Sequence, residues 1–198
     1  AQSEVEEFAE YGSIPVINAL TDYCHPCQVL ADLMTIREYK GSFSGLKMCF
    51  IGDGNNMANS LMVGALKMGM KFSIACPEGY HPDAELTKWA EEFGDKFEIT
   101  SDVKKAAKDA DVLYTDVWAS MGQEGEKALR EKSFAGFRID AEVMECAKKD
   151  AMVLHCLPAH RGEEISEDVL EAHADDIFDE AENRLHAQKA VMCKLMRD

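Results

Sequence analysis

From residue 47 onward, short apolar runs alternate with segments in which apolar residues have a helical spacing. The runs have the length of buried strands and are too short for buried helices. Strands that recur with helices between them pair in parallel through right-handed crossovers, so the pattern predicts an α/β fold: a doubly wound parallel sheet with helices on both faces. The predicted strands are 47–52 (KMCFIG), 71–76 (KFSIAC), 97–100 (FEIT), 111–115 (DVLYT), 152–156 (MVLHC) and 176–179 (DIFD).

The helices between these strands have recognisable start signals. In MANSLMVGALKMG (57–69), apolar residues recur every three to four positions, which is typical of a helix packed on one face. Asp83 precedes the next helical pattern as a cap, and Ser101 or Asp102 precedes the one after it. In a sheet of this kind ligands bind at the carboxyl ends of the strands, so functional residues are expected there.

The two ends of the chain differ from this middle. Residues 1–20 contain one apolar run, IPVINAL, and a long helical pattern then runs to Gly41, where a linker GSFSG begins. The last segment, 182–198, also predicts a helix and has no glycine cap. Both terminal helices are expected to need a neighbour.

Composition excludes several classes of partner. The 198 residues have 37 acidic and 21 basic side chains, a net charge of −16, and a nucleic-acid-binding protein needs a basic face. No run approaches the ~18 apolar residues of a membrane span, and the first residues do not form a signal peptide. The seven cysteines are an odd number and several lie in apolar runs, so reduced thiols and a cytoplasmic location are expected.

Polar residues follow most of the predicted strands. The turn from Gly52 to Asn56 can cradle an anion, or it is a plain tight turn; because residue 57 is methionine, it fails the dinucleotide pattern G-x-G-x-x-G. Asp116 can bind an ammonium group or form an Asx turn. Cys156 can act as a thiol or be structural, and Arg184 can bind an anion or form a surface ion pair.

The pair Cys24 and Cys27 leaves three alternatives open. It follows an apolar run and opens a helical pattern, as a redox pair does. A zinc site needs two further ligands, and the sequence has no second Cys-x-x-Cys and no His-x-His. The third alternative is that the chemistry lies in the neighbouring residues. The histidines at 81, 160, 173 and 186 have no metal-site spacing and are interpreted as surface residues.

Five motifs together resemble the aspartate/ornithine carbamoyltransferase family, and within it the ornithine enzymes. They follow the family's order over nearly the whole chain, and the SMG loop distinguishes the ornithine enzymes from aspartate and putrescine relatives. The motifs are His25-Pro26-Cys27-Gln28, GDGNNMANS (52–60), DVWASMGQE (116–124), HCLP (155–158) and EAENR (180–184).

The resemblance implies transfer of a carbamoyl group from carbamoyl phosphate to the δ-amine of L-ornithine, with no metal and no organic cofactor. His25 would stabilise charge on the carbonyl oxygen, and Cys156 would orient the amine and help it lose a proton. Cys24 and Cys27 are expected to be incidental. The family implies that Gln28, the Leu157 carbonyl and Arg184 hold the carbamoyl group, and that Asn56, Asp116, Ser120 and Met121 hold the amino-acid end of ornithine.

One family motif does not occur in this sequence. The phosphate-binding S-x-R-T-R is absent, so the chain is expected to lack the carbamoyl-phosphate domain and to be inactive alone. The expected division is a remnant of that domain with the interdomain helix (1–40), an ornithine-binding domain (41–182) and the start of a returning helix (183–198). The family implies a homotrimer. The alternatives are a non-catalytic amino-acid-binding module and a relative that uses putrescine. A further alternative is an NAD-dependent oxidoreductase, which the failed G-x-G-x-x-G pattern argues against.

Overall fold

The structure, a computed structural model, describes residues 1–119, 125 and 127–196. Within this part of the chain the strands form one parallel sheet of order β3-β2-β1-β4-β5. Their carboxyl ends are in register: Ile51 pairs with Ala75 on one side and with Thr115 on the other. The strands are β1 (Lys47–Ile51), β2 (Lys71–Ala75), β3 (Phe97–Thr100), β4 (Val112–Thr115) and β5 (Met152–His155).

The helices begin and end where the local signals indicate. Asn55, Asp83 and Asp102 each accept backbone N–H groups of the helix that follows, which satisfies donors that the first turn leaves unpaired. The helices are α1 (Gln2–Tyr11), α2 (Pro26–Lys40), α3 (Asn56–Lys67), α4 (Ala84–Glu91), α5 (Val103–Ala107), α6 (Lys127–Ser133), α7 (Ala141–Met144), α8 (Glu167–Ala172) and α9 (Ala174–Leu195).

Both faces of the sheet are covered, as the sequence predicts. Successive strand residues point to opposite faces, so Phe50 packs into one buried cluster with α2, α3 and α4, and Ile51 packs into another with α5, α7 and α8. The strand order reverses direction between β1 and β4. In a doubly wound sheet a ligand crevice lies at this switch point.

One predicted strand is wrong. Residues 176–179 belong to α9, which runs without a break from 174 to 195. Its buried residues, Ile177, Glu180, Asn183 and Ala187, have a helical spacing, but two of them are polar. Because two of the buried positions are polar, the apolar residues alone do not show the helical spacing, and the short apolar run instead predicts a strand.

The N-terminal apolar run is largely exposed to solvent in the described chain. The apolar run 14–20 forms neither helix nor strand, and Ile14 is 75% exposed. Helix α2 begins at Pro26, and the left-handed Gly41 (φ 75°) ends it. Of the residues that the structure describes, none form a helix both long and apolar enough to cross a membrane.

Candidate functional site

A cavity of about 730 Å³ opens at the carboxyl edge of the sheet, at the switch point between β1 and β4. The start of α2, the start of α3, the loops after β4 and β5, and one side of α9 form its walls. Six residues expected from the sequence line it: His25, Asn56, Asp116, Cys156, Leu157 and Arg184.

The glycine-rich turn after β1 is shaped by a close approach of two backbones. A Cβ at Gly54 would lie 2.2 Å from the backbone carbon of His81 and from the Pro82 nitrogen, so only glycine fits. Asn55 caps α3 with its side-chain oxygen and donates its amide to Asp116 Oδ2 at 2.9 Å. Asn56 Nδ2 donates to the Thr21 carbonyl at 2.7 Å. The turn therefore joins the 20s loop to the end of β4.

Asp116 and Cys156 form a direct contact at the centre of the site. The Cys156 thiol donates to Asp116 Oδ1 at 3.1 Å, and the Val117 N–H donates to the same oxygen. Burial first, then the Asp116 carboxylate and Glu180, raise the pKa of Cys156 well above its ordinary value. The side chain is therefore a neutral thiol at pH 7 and acts as a hydrogen-bond donor, not as a thiolate nucleophile.

His25 is the N-terminal cap residue of α2, and its backbone N–H donates to Ser60 Oγ at 2.7 Å. Burial first, then the Arg184 charge, lower the pKa of its imidazole, so the ring is neutral at pH 7. Its buried Nδ1 has no hydrogen-bond partner in the structure. His25 lines the cavity, so its neutral ring lies where a ligand would bind.

The loop that carries Leu157 is held by two residues that the sequence analysis did not single out. The Leu157 N–H donates to His155 Nδ1 at 2.9 Å, so the ring proton lies on Nε2, which faces Glu164 Oε1 at 3.1 Å. Both side chains are fully buried. Leu157 itself has a left-handed backbone (φ 55°), unusual for a residue other than glycine. The pair thus holds the loop in a conformation that leucine alone disfavours.

Arg184 reaches the cavity from α9, where its Nη1 donates to Gln28 Oε1 at 2.6 Å. Gln28 is buried, and its Nε2 donates to Asp32 Oδ1 at 2.8 Å and to Glu180 Oε1 at 3.0 Å. Gln28 therefore lies behind Arg184 and does not line the cavity. Sequence reasoning missed Asp32, although it lies one helical turn after Gln28.

A second unexpected element is a buried ion pair beside the cavity. Arg130 Nη1 donates to Asp53 Oδ2 at 2.6 Å and to the Trp118 carbonyl at 2.8 Å. The guanidinium also lies over the Tyr80 ring, 5.3 Å from its centroid. This pair joins the turn after β1 to the segment after β4.

Two expected site residues, Ser120 and Met121, lie outside the described residues. The predicted roles of these two residues therefore stay predictions.

The two cysteines of the 24–27 motif pack into local structure. Asn18 Nδ2 donates to Cys24 Sγ at 3.2 Å, and the Cys27 thiol donates to the Asn18 carbonyl at 3.3 Å; both cysteines are free.

Across the described chain, the three side chains close enough to share a metal ion are His160, Glu163 and Glu164, with donor atoms within 4.8 Å of one another. The spacing of His160 did not reveal this proximity. Acidic groups beside an exposed histidine are common without a metal, and the prediction of no metal stays a prediction.

A parallel sheet with this switch-point site defines an α/β enzyme class, and comparison with known sequences specifies the family. Residues 44–195 match the family described as aspartate/ornithine carbamoyltransferase, Asp/Orn binding domain. This match covers more than half of the chain, so the chain belongs to the aspartate/ornithine carbamoyltransferase family.

The similar proteins are ornithine carbamoyltransferases. The enzyme of Methanosarcina mazei is 57% identical over 193 residues, which cover 98% of this chain and 64% of that protein. The solved structure from Pyrococcus furiosus has a TM-score of 0.91 at 52% identity over 98% of this chain and 63% of the other. The solved structure from Campylobacter jejuni has a TM-score of 0.93 at 47% identity, over 98% of this chain and 65% of the other. The chain thus spans less than two thirds of the length of these relatives.

One expectation about domain content needs correction. Residues 1–38 match the family's carbamoyl-P binding domain, so the prediction that the chain lacks this domain is not confirmed. The prediction rested on a single motif, S-x-R-T-R, and the absence of one motif does not exclude other parts of the same domain. The finer boundaries at residues 40 and 182 stay predictions.

Proposed function

We propose that this chain forms the ornithine side of the active site of an ornithine carbamoyltransferase, which converts carbamoyl phosphate and L-ornithine to L-citrulline and phosphate. The observation that carries the proposal is the convergence of five motifs, separated by up to 159 residues in sequence, on one cavity at the switch point. The chemical state of each group in that cavity supports the same reaction.

The amino-acid end of ornithine is assigned to the wall formed by Asn56 and Asp116. The family resemblance assigns Ser120 and Met121 to the same end of the substrate. An aspartate at this wall suits the α-ammonium group of ornithine. Asn55 and Cys156 already donate to Asp116, and these contacts hold its carboxylate in one orientation.

The carbamoyl group is assigned to the opposite wall. The δ-amine attacks the carbamoyl carbon, the carbonyl oxygen takes up negative charge in the tetrahedral intermediate, and the C–O bond to phosphate then breaks. His25, which lines the cavity as a neutral imidazole, is assigned as a donor to that oxygen, together with the Arg184 guanidinium. The Leu157 carbonyl accepts from the carbamoyl NH₂ group. Gln28 is assigned to the same group through Arg184, which it holds at the cavity wall.

The δ-ammonium of ornithine must lose a proton to solvent before it can attack, and the second proton, released when the C–N bond forms, is taken up by the leaving phosphate. Cys156 lies between Asp116 and the Leu157 loop, where its sulfur can accept a hydrogen bond from the amine while its own proton stays with Asp116. This geometry assigns Cys156 to orienting the amine.

The phosphate requires more positive charge than the described cavity contains. Among the described residues that line it, Arg184 is the one lysine or arginine. We propose that the remaining cations come from the carbamoyl-phosphate domain, of which residues 1–38 match a part. Little activity is therefore expected from these 198 residues alone. The homotrimer and the cytoplasmic location stay predictions.

The test is citrulline formation from carbamoyl phosphate and ornithine, by the 198-residue chain alone and after mixing with a separately produced N-terminal half of a full-length relative. Activity that appears on mixing supports the proposal, and activity without mixing would place the phosphate site within this chain. No activity in either case, with ornithine binding retained in calorimetry, would favour a non-catalytic amino-acid-binding module.

Putrescine in place of ornithine provides the matched control, since it lacks the carboxylate. Equal turnover of the two amines would contradict recognition of the ornithine carboxylate at the wall assigned to the amino-acid end.

A further inference from the structure

Behind Arg184, helices α2 and α9 enclose a cluster of polar groups that the reaction does not touch. Two carboxyl groups, those of Asp32 and Glu180, lie there with no exposed surface. Tyr114 of β4 is also fully buried between them. Two ionised carboxylates in one such site repel each other, so the folded cluster is stable only if one of the two carboxyl groups is protonated.

The hydrogen bonds distinguish the two carboxyl groups. Glu180 accepts on both oxygens: Oε1 from Gln28 Nε2 (3.0 Å) and the Tyr114 hydroxyl (2.9 Å), and Oε2 from the His155 N–H (2.8 Å). Three donors on one carboxyl group are the arrangement that favours a carboxylate.

Asp32 has the opposite arrangement. Its Oδ1 accepts from Gln28 Nε2 at 2.8 Å and has a longer contact of 3.4 Å with the Tyr114 hydroxyl, whereas its buried Oδ2 accepts from no donor. A buried carboxyl oxygen without a donor is where a proton is expected to lie, because an ionised oxygen there would be unsatisfied.

We propose that Asp32 and Glu180 form a buried acid–carboxylate pair that shares a single proton, held by Asp32, and that this pair orients Gln28 and Arg184 at the cavity wall. With Asp32 neutral, the cluster carries one negative charge, on Glu180, against one positive charge, on Arg184. Gln28 connects them: its amide nitrogen faces the two carboxyl groups, and its oxygen therefore faces the guanidinium.

The electrostatic environment agrees with this assignment. Burial first, and Glu180 second, raise the pKa of Asp32 well above its usual value. Burial also raises the pKa of Glu180, but hydrogen bonds from Asp32, the His155 N–H and Tyr114 oppose that shift. The charged or titratable groups that face Asp32 are Glu180 and Arg184 on α9, Tyr114 on β4 and Cys156 after β5. Of these, Arg184 is the one that favours an ionised Asp32, and Gln28 already holds its Nη1.

Two isosteric substitutions test the proposal because they should behave differently. Asp32→Asn keeps a neutral group with an acceptor towards Gln28 and places N–H donors where the proton lies. Glu180→Gln replaces one accepting oxygen by a donor that faces other donors. Glu182→Gln is the control, since it removes the same charge from an exposed position of α9.

We expect thermal unfolding of the 198-residue chain to separate the three variants. Glu180→Gln should lower the melting temperature by roughly 6 °C or more, as for a broken buried pair, and Asp32→Asn by less than about 3 °C. Equal losses, or a better-tolerated Glu180→Gln, would overturn the placement of the proton.

The pH dependence adds a second measurement. Because the pKa of Asp32 is raised in the folded state, the folded chain retains a proton that the unfolded chain loses as the pH rises above about 4, so stability falls with rising pH. Asp32→Asn should remove this part of the slope between pH 5 and pH 8, and Glu182→Gln should not. The same change of slope in both variants would attribute the effect to net charge and refute the proposal.

A spectroscopic measurement covers the case in which Glu180→Gln does not fold. In the unmodified chain the side-chain ¹³C carboxyl signal of Asp32, assigned with Asp32→Asn, should stay at the protonated position at pH 7. A carboxylate shift at that pH would overturn the proposal. These measurements use no substrate, so their failure is distinct from failure of the proposed function.

Only the effect on catalysis rests on the proposed function. In the complemented assay, Glu180→Gln should reduce kcat by roughly a hundredfold through misplacement of Arg184. Asp32→Asn should retain kcat and its pH profile. A catalytic loss in Asp32→Asn without a loss of stability would contradict a positioning role for the neutral acid.

Discussion

The two edges of the parallel sheet differ in the charge state of their titratable groups. At the amino edge, a cleft of about 630 Å³ is lined by lysines and acids, and ion pairs balance the charges, for example the exposed pair Lys71–Asp95 and the pair of Lys148 with the buried Asp111. At the carboxyl edge, burial keeps titratable groups neutral: His25 as imidazole and Cys156 as thiol. Both edges are polar, but among the described residues that line the two cavities, the groups whose pKa is shifted chiefly by burial lie at the carboxyl edge, which is typical of functional sites.

The edges also differ in how tightly their turns pack. Gly54 at the carboxyl edge lies against the backbone of 81–82, whereas Gly69, in the turn before β2 at the amino edge, has nothing within 4 Å of an added Cβ. We expect Gly54→Ala to lower the free energy of unfolding by about 4 kcal/mol or more, because backbone must move. Gly69→Ala should cost only about 1–2 kcal/mol for its left-handed φ. Urea denaturation measures both, and equal losses would contradict the tight contact at the carboxyl edge.

Catalysis should depend on the carboxyl edge through His25. His25→Ala should reduce citrulline formation in the complemented assay by about 10²- to 10³-fold, because a donor to the developing oxyanion is lost. The double substitution Cys24→Ser and Cys27→Ser is the matched control and should retain activity within a few-fold. A comparable loss in the control would indicate that the cysteines of this motif take part in the reaction.

The buried thiols should make the chain less stable in alkali. Burial raises the pKa of Cys49 and of Cys76 to about 12, and that of Cys156 is also raised. Above a pH of about 8.5 the unfolded chain loses thiol protons that the folded chain keeps. The free energy of unfolding should therefore fall by up to about 1.4 kcal/mol per pH unit for each buried thiol.

Substitution of one thiol at a time checks this slope. In urea denaturation between pH 8 and pH 10, Cys156→Ser should reduce the slope, and Cys193→Ser, at an exposed position, should leave it unchanged. An unchanged slope in Cys156→Ser would contradict the neutral thiol at the site.

The smallest effect is expected at an exposed ion pair between α5 and α7. Lys104 Nζ lies 2.7 Å from Glu142 Oε2, and both side chains are mostly exposed. Because water screens such pairs, Lys104→Ala should leave the melting temperature within the error of the measurement. A clear drop in the melting temperature, measured by differential scanning calorimetry, would contradict the expectation that water screens this exposed pair.

Local patterns determined most of the fold and much of the site. Strands β1–β5, the caps at Asp83 and Asp102, and Pro26 at the start of α2 all follow from periodicity, burial and the hydrogen-bonding needs of a helix start. The predicted parallel arrangement also places Asn56 and Asp116 at one edge, because the carboxyl ends of parallel strands meet there.

Tertiary structure decided what depends on pairing over long distances and on burial. Nothing local indicates that Gln28 holds Arg184, 156 positions away, or that α9 buries Glu180 where an apolar residue is the usual choice. Protonation is also a tertiary property, since the same carboxyl group is ionised in water and neutral in the enclosed space between α2 and α9. The sequence by itself determined which residues reach the carboxyl edge; the packing of α9 against α2 decided which of them touch, and in which charge state.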